Sequence, residues 1–256
     1  MSSETTPLTN PTVDVMMSHA SVRRFTSQSV SDEMIDAVLA AARRAPTSSN
    51  WQTYSIIVVR DPHIKARLAV LAGGQDHVVS SQVFFVFCAD LHRLEFATQR
   101  HGVDLVLGLQ DTIVSAVDAA IVGEAAQIAA ESFGLGAVMV GALRRNTIEV
   151  AKTLDLPDGV APVFGMSVGW PAEDPRSLEL KPRLPEPLVI HRDTYSDEGA
   201  AELVDEYNEQ LARHYDAQGH NIDPDAAWTG PIANRASEHR YPNLRTDLET
   251  LGFKFD

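Results

Sequence analysis

The stretch VFFVFCA, which runs from Val83 to Ala89, is apolar at every position and rich in valine and phenylalanine. These residue types favour strands, and a strand without alternating polar residues is typical of one that is covered on both faces. The sequence therefore predicts a fully buried strand here, in a sheet with a packing layer on each side.

Strand-like apolar runs and segments of helical periodicity interleave along the rest of the chain. Further strands are predicted at residues 54–59, 135–142 and 161–170. Helices are predicted at residues 31–45, 64–71, within 104–132, at 146–154 and at 200–218. The last third of the chain has little strand signal, which favours the α+β class.

Capping residues and an unusually apolar segment distinguish some of the predicted helices. Ser31 can cap the first helix, and Asn146 with Glu149 resembles a capping box at the start of another. Between residues 113 and 130 the long helix is rich in alanine, valine and isoleucine on most of its faces. A helix of that kind must be surrounded, and a subunit interface is one way to surround it.

Composition excludes several classes of protein. The 256 residues are 44% hydrophobic, and the formal net charge of −14 opposes binding to nucleic acid or to an anionic membrane. The single cysteine, Cys88, cannot form a disulfide within the chain, which fits the cytoplasm. We find no secretory signal and no apolar run near the roughly 20 residues that span a bilayer.

The organisation predicted along the chain is simple. Residues 1–12 are polar and contain proline, so we expect a disordered lead-in. Residues 13–218 are expected to form the main domain. Residues 219–256 show weak periodicity and are expected to be an extended C-terminal arm.

The segment LKPRLP, residues 180–185, places two cations beside prolines. Pro182 and Pro185 restrict their preceding residues to extended conformations, so Lys181 and Arg183 should project to the same side. This pair, which we call the basic fork, suits a phosphate, since each charge-assisted hydrogen bond contributes about 1.5–3 kcal/mol. A solvated surface loop is the alternative.

Three other segments are rich in hydrogen-bond donors. In HASVRRF, an extended chain would place His19, Ser21 and Arg23 on one side. TSSN, residues 47–50, clusters hydroxyl and amide groups, and AGGQ, residues 72–75, carries an amide on a glycine turn. Together these segments offer donors for a phosphate and for a heterocycle, with glycines that permit close backbone approach.

Other motifs are weaker. GMSVG, residues 165–169, matches the hydrolase pattern around Ser167, but it reads as one continuous strand and no helix follows at once. GLGAVMVG, residues 134–141, has Met139 where a dinucleotide-binding fingerprint needs its third glycine. The nine histidines lack the spacing of metal ligands, so no metal site is predicted.

In its ordered motifs the chain resembles the flavin-dependent nitroreductase family, and most nearly its branch of oxygen-insensitive NADPH nitroreductases and NADPH–flavin reductases. The resemblance runs from about Val15 to the C-terminal arm. The motifs that carry it are HASVRRF, APTSSNWQ, LAGGQDHV, VFFVFCAD, ESFGLGAVMVGALRRN, PVFGMSVGWP and LKPRLP. It implies an intertwined α+β homodimer with a central, mostly antiparallel sheet flanked by helices, and with FMN bound at the subunit interface.

The resemblance also implies roles for individual residues. His19, Ser21, Lys181 and Arg183 would hold the FMN phosphate. Arg23 would lie near the N1/O2 edge, where its charge stabilises the reduced anionic flavin. Ser48, Ser49 and Gln52 would contact the ribityl chain or the ring. Gln75 would contact the pyrimidine edge. N5 and O4 would be approached by Val140, Gly141 and Ala142. No side chain need act as acid or base, and one site used in turn implies ping-pong kinetics.

The chain departs from the branch at three places. Ala20 and Asp76 stand where the branch usually has basic residues. The loop HNIDPDAAW, residues 220–228, has no arginine where the branch binds the NADPH 2′-phosphate. Arg235, His239 or Arg240 could substitute, or NADH could serve as the donor. The expected acceptors are nitroaromatics, quinones or flavins, with dehalogenation, a serine hydrolase and a non-catalytic flavin-binding protein as alternatives.

Overall fold

The computed structural model of the protein describes residues 8–174 and 180–256. The strands are β1 (Tyr54–Val59), β2 (Val83–Asp90), β3 (Gly136–Val140) and β4 (Val160–Gly169). The helices are α1 (Pro11–Met17), α2 (Asp32–Ala42), α3 (Pro62–Leu71), α4 (Asp76–Ser80), α5 (His92–Gln99), α6 (Leu109–Ser132), α7 (Thr147–Thr153), α8 (Ala200–Ala217), α9 (Pro224–Ala227), α10 (Thr229–Ala236) and α11 (Leu244–Thr250).

The described residues fall into two compact units. The first lies within Met1–Ser177 and Tyr241–Asp256 and contains the sheet, α1–α7 and α11. The second lies within Leu178–Arg240 and contains α8–α10. The basic fork therefore belongs to the second unit, and the other predicted site residues belong to the first.

The sheet has the strand order β1-β2-β4-β3, and every neighbouring pair is antiparallel. Helices cover both of its faces, which confirms the predicted α+β class. β1 has the predicted bounds, whereas the third predicted strand ends early, at Val140. The chain then turns into a 3₁₀-helix over Gly141–Asn146, so Gly141 and Ala142 are not strand residues.

All eight residues of β2 are buried, which confirms the prediction made from VFFVFCA. Side chains alternate along a strand, so Val83, Phe85 and Phe87 enter a layer with α2 and α6. Phe84, Val86 and Cys88 enter a second layer with α3 and α7. Burial raises the pKa of the Cys88 thiol to about 12.

Helix α6 lies across the sheet and packs against α2, β1 and β2. Its 24 residues are long and apolar enough to cross a bilayer, which corrects the expectation that no such segment exists. It is a core helix nonetheless, because Asp118 and Gln127 are buried in protein within it. One face, with Ile113, Val117 and Ile121 four residues apart, is exposed.

Local details differ from expectation at three places. Ser31 caps α2 as predicted, but the capping box at Asn146 is wrong: its amide instead donates to the Leu71 carbonyl at 2.7 Å. The lead-in reaches into α1, which begins at Pro11 under the cap of Asn10, while residues 1–7 lie outside the described part. Residues 219–256 contain α9, α10 and α11, whose shortness explains their weak periodicity.

Candidate functional site

Residues 19–23, which we call the donor segment, run along the edge of the sheet at β3. Ser21 pairs with Ala137, and the Val22 amide donates to the Ala137 carbonyl at 2.9 Å. Val22 is buried against Gly136, where an added Cβ would lie 2.6 Å from a valine methyl carbon. Burial of Val22 leaves Ser21 and Arg23, its neighbours on either side, exposed.

His19 is oriented by helix α6. Its Nδ1 lies 2.6 Å from Oε1 of Glu131 and 3.1 Å from Nε2 of Gln127, which is one turn earlier on the helix. Both contacts are partly buried and both involve Nδ1, so they hold this side of the imidazole ring against helix α6.

The glycine turn after α3 presents Gln75. Gly73 and Gly74 have φ values of +87° and +79°, which favour glycine, and nothing lies within 4 Å of a Cβ placed at Gly74. A Cβ at Gly73 would lie 2.9 Å from Nη1 of Arg145. The turn is thus packed at Gly73 against the 3₁₀-helix that contains Gly141 and Ala142, while the space beside Gly74 is open.

His77, two residues after Gln75, joins the end of the glycine turn to strand β4. Its Nδ1 lies 3.1 Å from Oγ of Ser167, and both residues are buried. Burial lowers the pKa of His77, the charge of Arg23 lowers it further, and Asp76 opposes them. These shifts favour the neutral form of the imidazole.

The same contact bears on the hydrolase alternative. Ser167 lies within β4, paired with Phe84 on one side and Val138 on the other, and its side chain is fully buried. A nucleophile elbow needs a strained turn at the serine and exposure of its Oγ. Neither is present, so Ser167 is a buried structural residue.

Residues 48–52, which we call the serine loop, form a second group of predicted site residues. Ser48, Ser49 and Gln52 are exposed between α2 and β1. A cleft of about 560 Å³ lies beside them, and its lining includes Trp51, Tyr54 and Arg93.

The two groups lie apart within one chain. The donor segment contacts α6 at Glu131, whereas the serine loop contacts the same helix at Asp118, through the Ser48 amide. At a rise of 1.5 Å per residue these positions are about 20 Å apart along the helix. One group also lies next to β3 and the other next to β1, which form opposite edges of the sheet.

The basic fork lies beside α8 in the second unit. Nζ of Lys181 contacts Oη of Tyr215 at 2.8 Å and lies 4.9 Å from the centre of its ring. Tyr207, two turns earlier on α8, donates to the Pro182 carbonyl at 3.1 Å. Burial raises the pKa of Tyr207 and the charge of Arg183 opposes this shift. Both cations are exposed and lie near tyrosines on the same face of α8.

Several residues around the site were not predicted from the sequence. His77, Asp118, Gln127 and Glu131 act behind the predicted contacts and hold them in place. Asp118 and Gln127 could have been recognised from the sequence, because a polar residue within an otherwise apolar helix needs a hydrogen-bond partner. No cluster of potential metal ligands occurs among residues 8–174 and 180–256.

Comparison with known proteins identifies the family of the chain. The model of the nitroreductase family matches residues 16–170, and that of the nitroreductase family C-terminal domain matches residues 181–256. The chain belongs to the nitroreductase family.

Individual relatives align along nearly their whole length. The chain is 39% identical over 248 residues to the oxygen-insensitive NADPH nitroreductase of Salmonella typhimurium, covering 95% of this chain and 98% of that protein. It is 35% identical over 251 residues to an FMN reductase [NAD(P)H] of Bacillus subtilis, and the alignment covers 96% of this chain and 99% of that protein.

Solved structures agree as well. The structure of B. megaterium NfrA2 has a TM-score of 0.92 at 37% identity and covers 97% of this chain and all of its own. That of the NADPH:FMN oxidoreductase from Vibrio harveyi, complexed with NAD⁺, has a TM-score of 0.86 at 30% identity and covers 95% and 99%.

Proposed function

We propose that the protein is an NAD(P)H-dependent FMN oxidoreductase that reduces nitroaromatics, quinones or flavins. The observation that carries this proposal is the donor segment at the β3 edge of the sheet, where Ser21 and Arg23 are exposed and His19 is held by helix α6. The family membership and the names of the full-length relatives, a nitroreductase and FMN reductases, support the same chemistry.

The donor set suits FMN. His19, Ser21 and Arg23 offer ring N–H, hydroxyl and guanidinium donors, which match a phosphate or the polar edge of a flavin. The glycine turn offers close backbone approach, and the Gln75 side chain is held by a 3.1 Å bond to the Ala72 carbonyl. We include Lys181 and Arg183 as phosphate ligands because the resemblance assigns them this role.

The residues of the chain bind and orient the cofactor. FMN, when bound, would accept a hydride from the reduced nicotinamide and pass two electrons to the acceptor. Arg23 supplies a fixed positive charge that favours the negative charge of the reduced cofactor. Burial and the charge of Arg23 both lower the pKa of His77, which favours its neutral form and so avoids a second positive charge.

The first test is spectroscopic. We expect the purified protein to carry FMN or to bind it when it is added, and its visible absorbance to bleach on anaerobic addition of NADPH or NADH. Comparing kcat/KM for the two nucleotides then decides the preference, which the missing arginine in residues 220–228 leaves open. Failure to bind FMN would contradict the proposal. A flavin that neither nucleotide bleaches would favour a non-catalytic flavin-binding protein.

A homodimer is part of the proposal, since the donor segment and the serine loop are too far apart to reach one flavin easily within one chain. In a dimer, the serine loop of one protomer can complete the site of its partner. The exposed apolar stripe Ile113, Val117 and Ile121 on α6 supports such an interface. The single, fully buried Cys88 supports a cytoplasmic location.

The stripe gives a test of the dimer. Val117→Asp places a charge in the apolar interface, where its desolvation is costly. We expect dissociation to monomers by sedimentation velocity, together with weaker FMN binding, because the serine loop of the partner is then lost from the site. The matched control is Val70→Asp on α3, which is also an exposed valine but lies outside the stripe. A Val117→Asp protein that remains dimeric would exclude this face as the interface.

A further inference from the structure

The serine loop has an unusual backbone. Ser49, Asn50 and Gln52 have φ values of 48°, 59° and 55°, in the left-handed region that L-residues seldom adopt. Each such residue costs free energy and persists only where the surroundings hold it. A short connection between a helix and a strand does not require three of them, so this conformation needs a cause outside the loop.

Asp118 holds the loop from the inside. One carboxylate oxygen accepts from the Ser48 amide at 3.1 Å, and the other accepts from the amide of Thr53 at 3.1 Å and from its hydroxyl at 2.8 Å. Asp118 and Thr53 are each 1% exposed. The carboxylate thus binds both ends of the serine loop from within an otherwise apolar helix.

Arg93 holds the loop from the outside. Its Nη2 donates to the carbonyl oxygen of Gln52 at 2.8 Å and also to that of Tyr54. Its Nη1 donates to Asp90 at 2.7 Å and to the Ser55 hydroxyl at 2.9 Å. Asp90 is buried at the end of β2, so the guanidinium is itself fixed to the sheet.

We propose that Asp118 and Arg93 are positioning residues that preset the serine loop in its FMN-contacting shape before the cofactor binds. The inference rests on the proposed function, because it takes FMN as the ligand of Ser48, Ser49 and Gln52. Asp118 is buried, and the contacts of Arg93 are with the loop backbone, Ser55 and Asp90. They act by holding the backbone that carries the exposed donors, so that binding need not order the loop.

The test compares variants of one helix. Asp118→Asn replaces one of the two acceptor oxygens by an NH₂ group. This donor then faces a backbone N–H that is also a donor, so one of the contacts that hold the loop is lost. Ser115→Ala is the matched control, since Ser115 is equally buried on α6 but donates only within the helix, to the Thr112 carbonyl. FMN is titrated onto each apoprotein and its fluorescence quenching is followed. We expect the dissociation constant for FMN to be at least tenfold higher in Asp118→Asn than in the wild type. In Ser115→Ala it should be unchanged.

Hydrogen exchange separates positioning from simple stabilisation. In apo Asp118→Asn, the amides of residues 48–53 should exchange at least tenfold faster than in the wild type, well below the melting temperature, while those of β2 remain protected. A globally destabilised protein would instead lose protection in the sheet as well. A folded Asp118→Asn protein with wild-type FMN affinity and wild-type exchange in the loop overturns the proposal.

Two further outcomes are informative. If Asp118→Asn does not fold, Arg93→Ala decides, because its side chain is half exposed and the same loss of affinity and loop protection is expected. Wild-type behaviour of Arg93→Ala would then overturn the proposal. If the wild type itself does not bind FMN, the proposed function fails, while loop exchange in apo Asp118→Asn still tests the positioning.

Discussion

The double variant Lys181→Ala/Arg183→Ala is expected to bind FMN about 10²- to 10⁴-fold more weakly than the wild type, because two charge-assisted hydrogen bonds of about 1.5–3 kcal/mol each are lost. Lys181 makes its described contacts with Tyr215, whose side chain remains in the variant. The dissociation constant is measured by fluorescence titration of the apoprotein, and flavin content after extensive dialysis gives a second reading.

The control for this experiment removes two other cations from the same unit. Arg192 and Arg213 are exposed and pair with Glu186 and Glu209. Arg192→Ala/Arg213→Ala therefore changes the net charge by the same amount without touching the basic fork. If both double variants bind FMN equally weakly, the loss of affinity comes from the change in net charge and not from the basic fork. Full flavin retention in Lys181→Ala/Arg183→Ala would remove the fork from the phosphate site.

Arg23→Ala is expected to give the second large effect, on reduction of the flavin. Loss of one well-placed donor to a developing negative charge costs about 10²- to 10³-fold in rate. The same loss should lower the two-electron midpoint potential by roughly 60–90 mV. Rapid-mixing kinetics with the nucleotide and a potentiometric titration measure the two quantities.

The neighbouring residue provides the control. Arg24 lies next to Arg23 in the chain but pairs with Glu173 at 2.6 Å, so Arg24→Ala should leave both quantities near their wild-type values. Arg23→Lys keeps the positive charge, so its midpoint potential should be closer to the wild-type value than that of Arg23→Ala. It does not reproduce the planar geometry of the guanidinium donors. An unchanged potential in Arg23→Ala would show that this charge does not act on the flavin.

The sheet could be predicted because its signals are local. The uninterrupted apolar run of β2 specified burial on both faces, and the structure shows its alternate residues in two separate layers. Ser31 gave the start of α2 from a single side chain, which bonds the Met34 amide at 3.3 Å. The helices after residue 219 were missed, since segments as short as four to eight residues carry too little periodicity.

The site was harder to predict than the fold because its supporting contacts are long-range. The Asp118 carboxylate bonds residues 65 and 70 positions away, and His19 meets Glu131 at a separation of 112. No spacing rule links such residues. The capping box at Asn146 failed for the same reason, since a carbonyl 75 residues away, that of Leu71, takes the side-chain amide. The roles of the predicted cofactor contacts remain predictions.

The environment of Cys88 has a practical consequence for work on this enzyme. Its sulfur is fully buried in β2 and stays protonated, whereas alkylating probes and maleimide dyes react with exposed thiolates. A cysteine introduced at the surface would thus be the sole reactive thiol of the native protein. Fluorophores or spin labels could be attached at chosen positions without first replacing the natural residue.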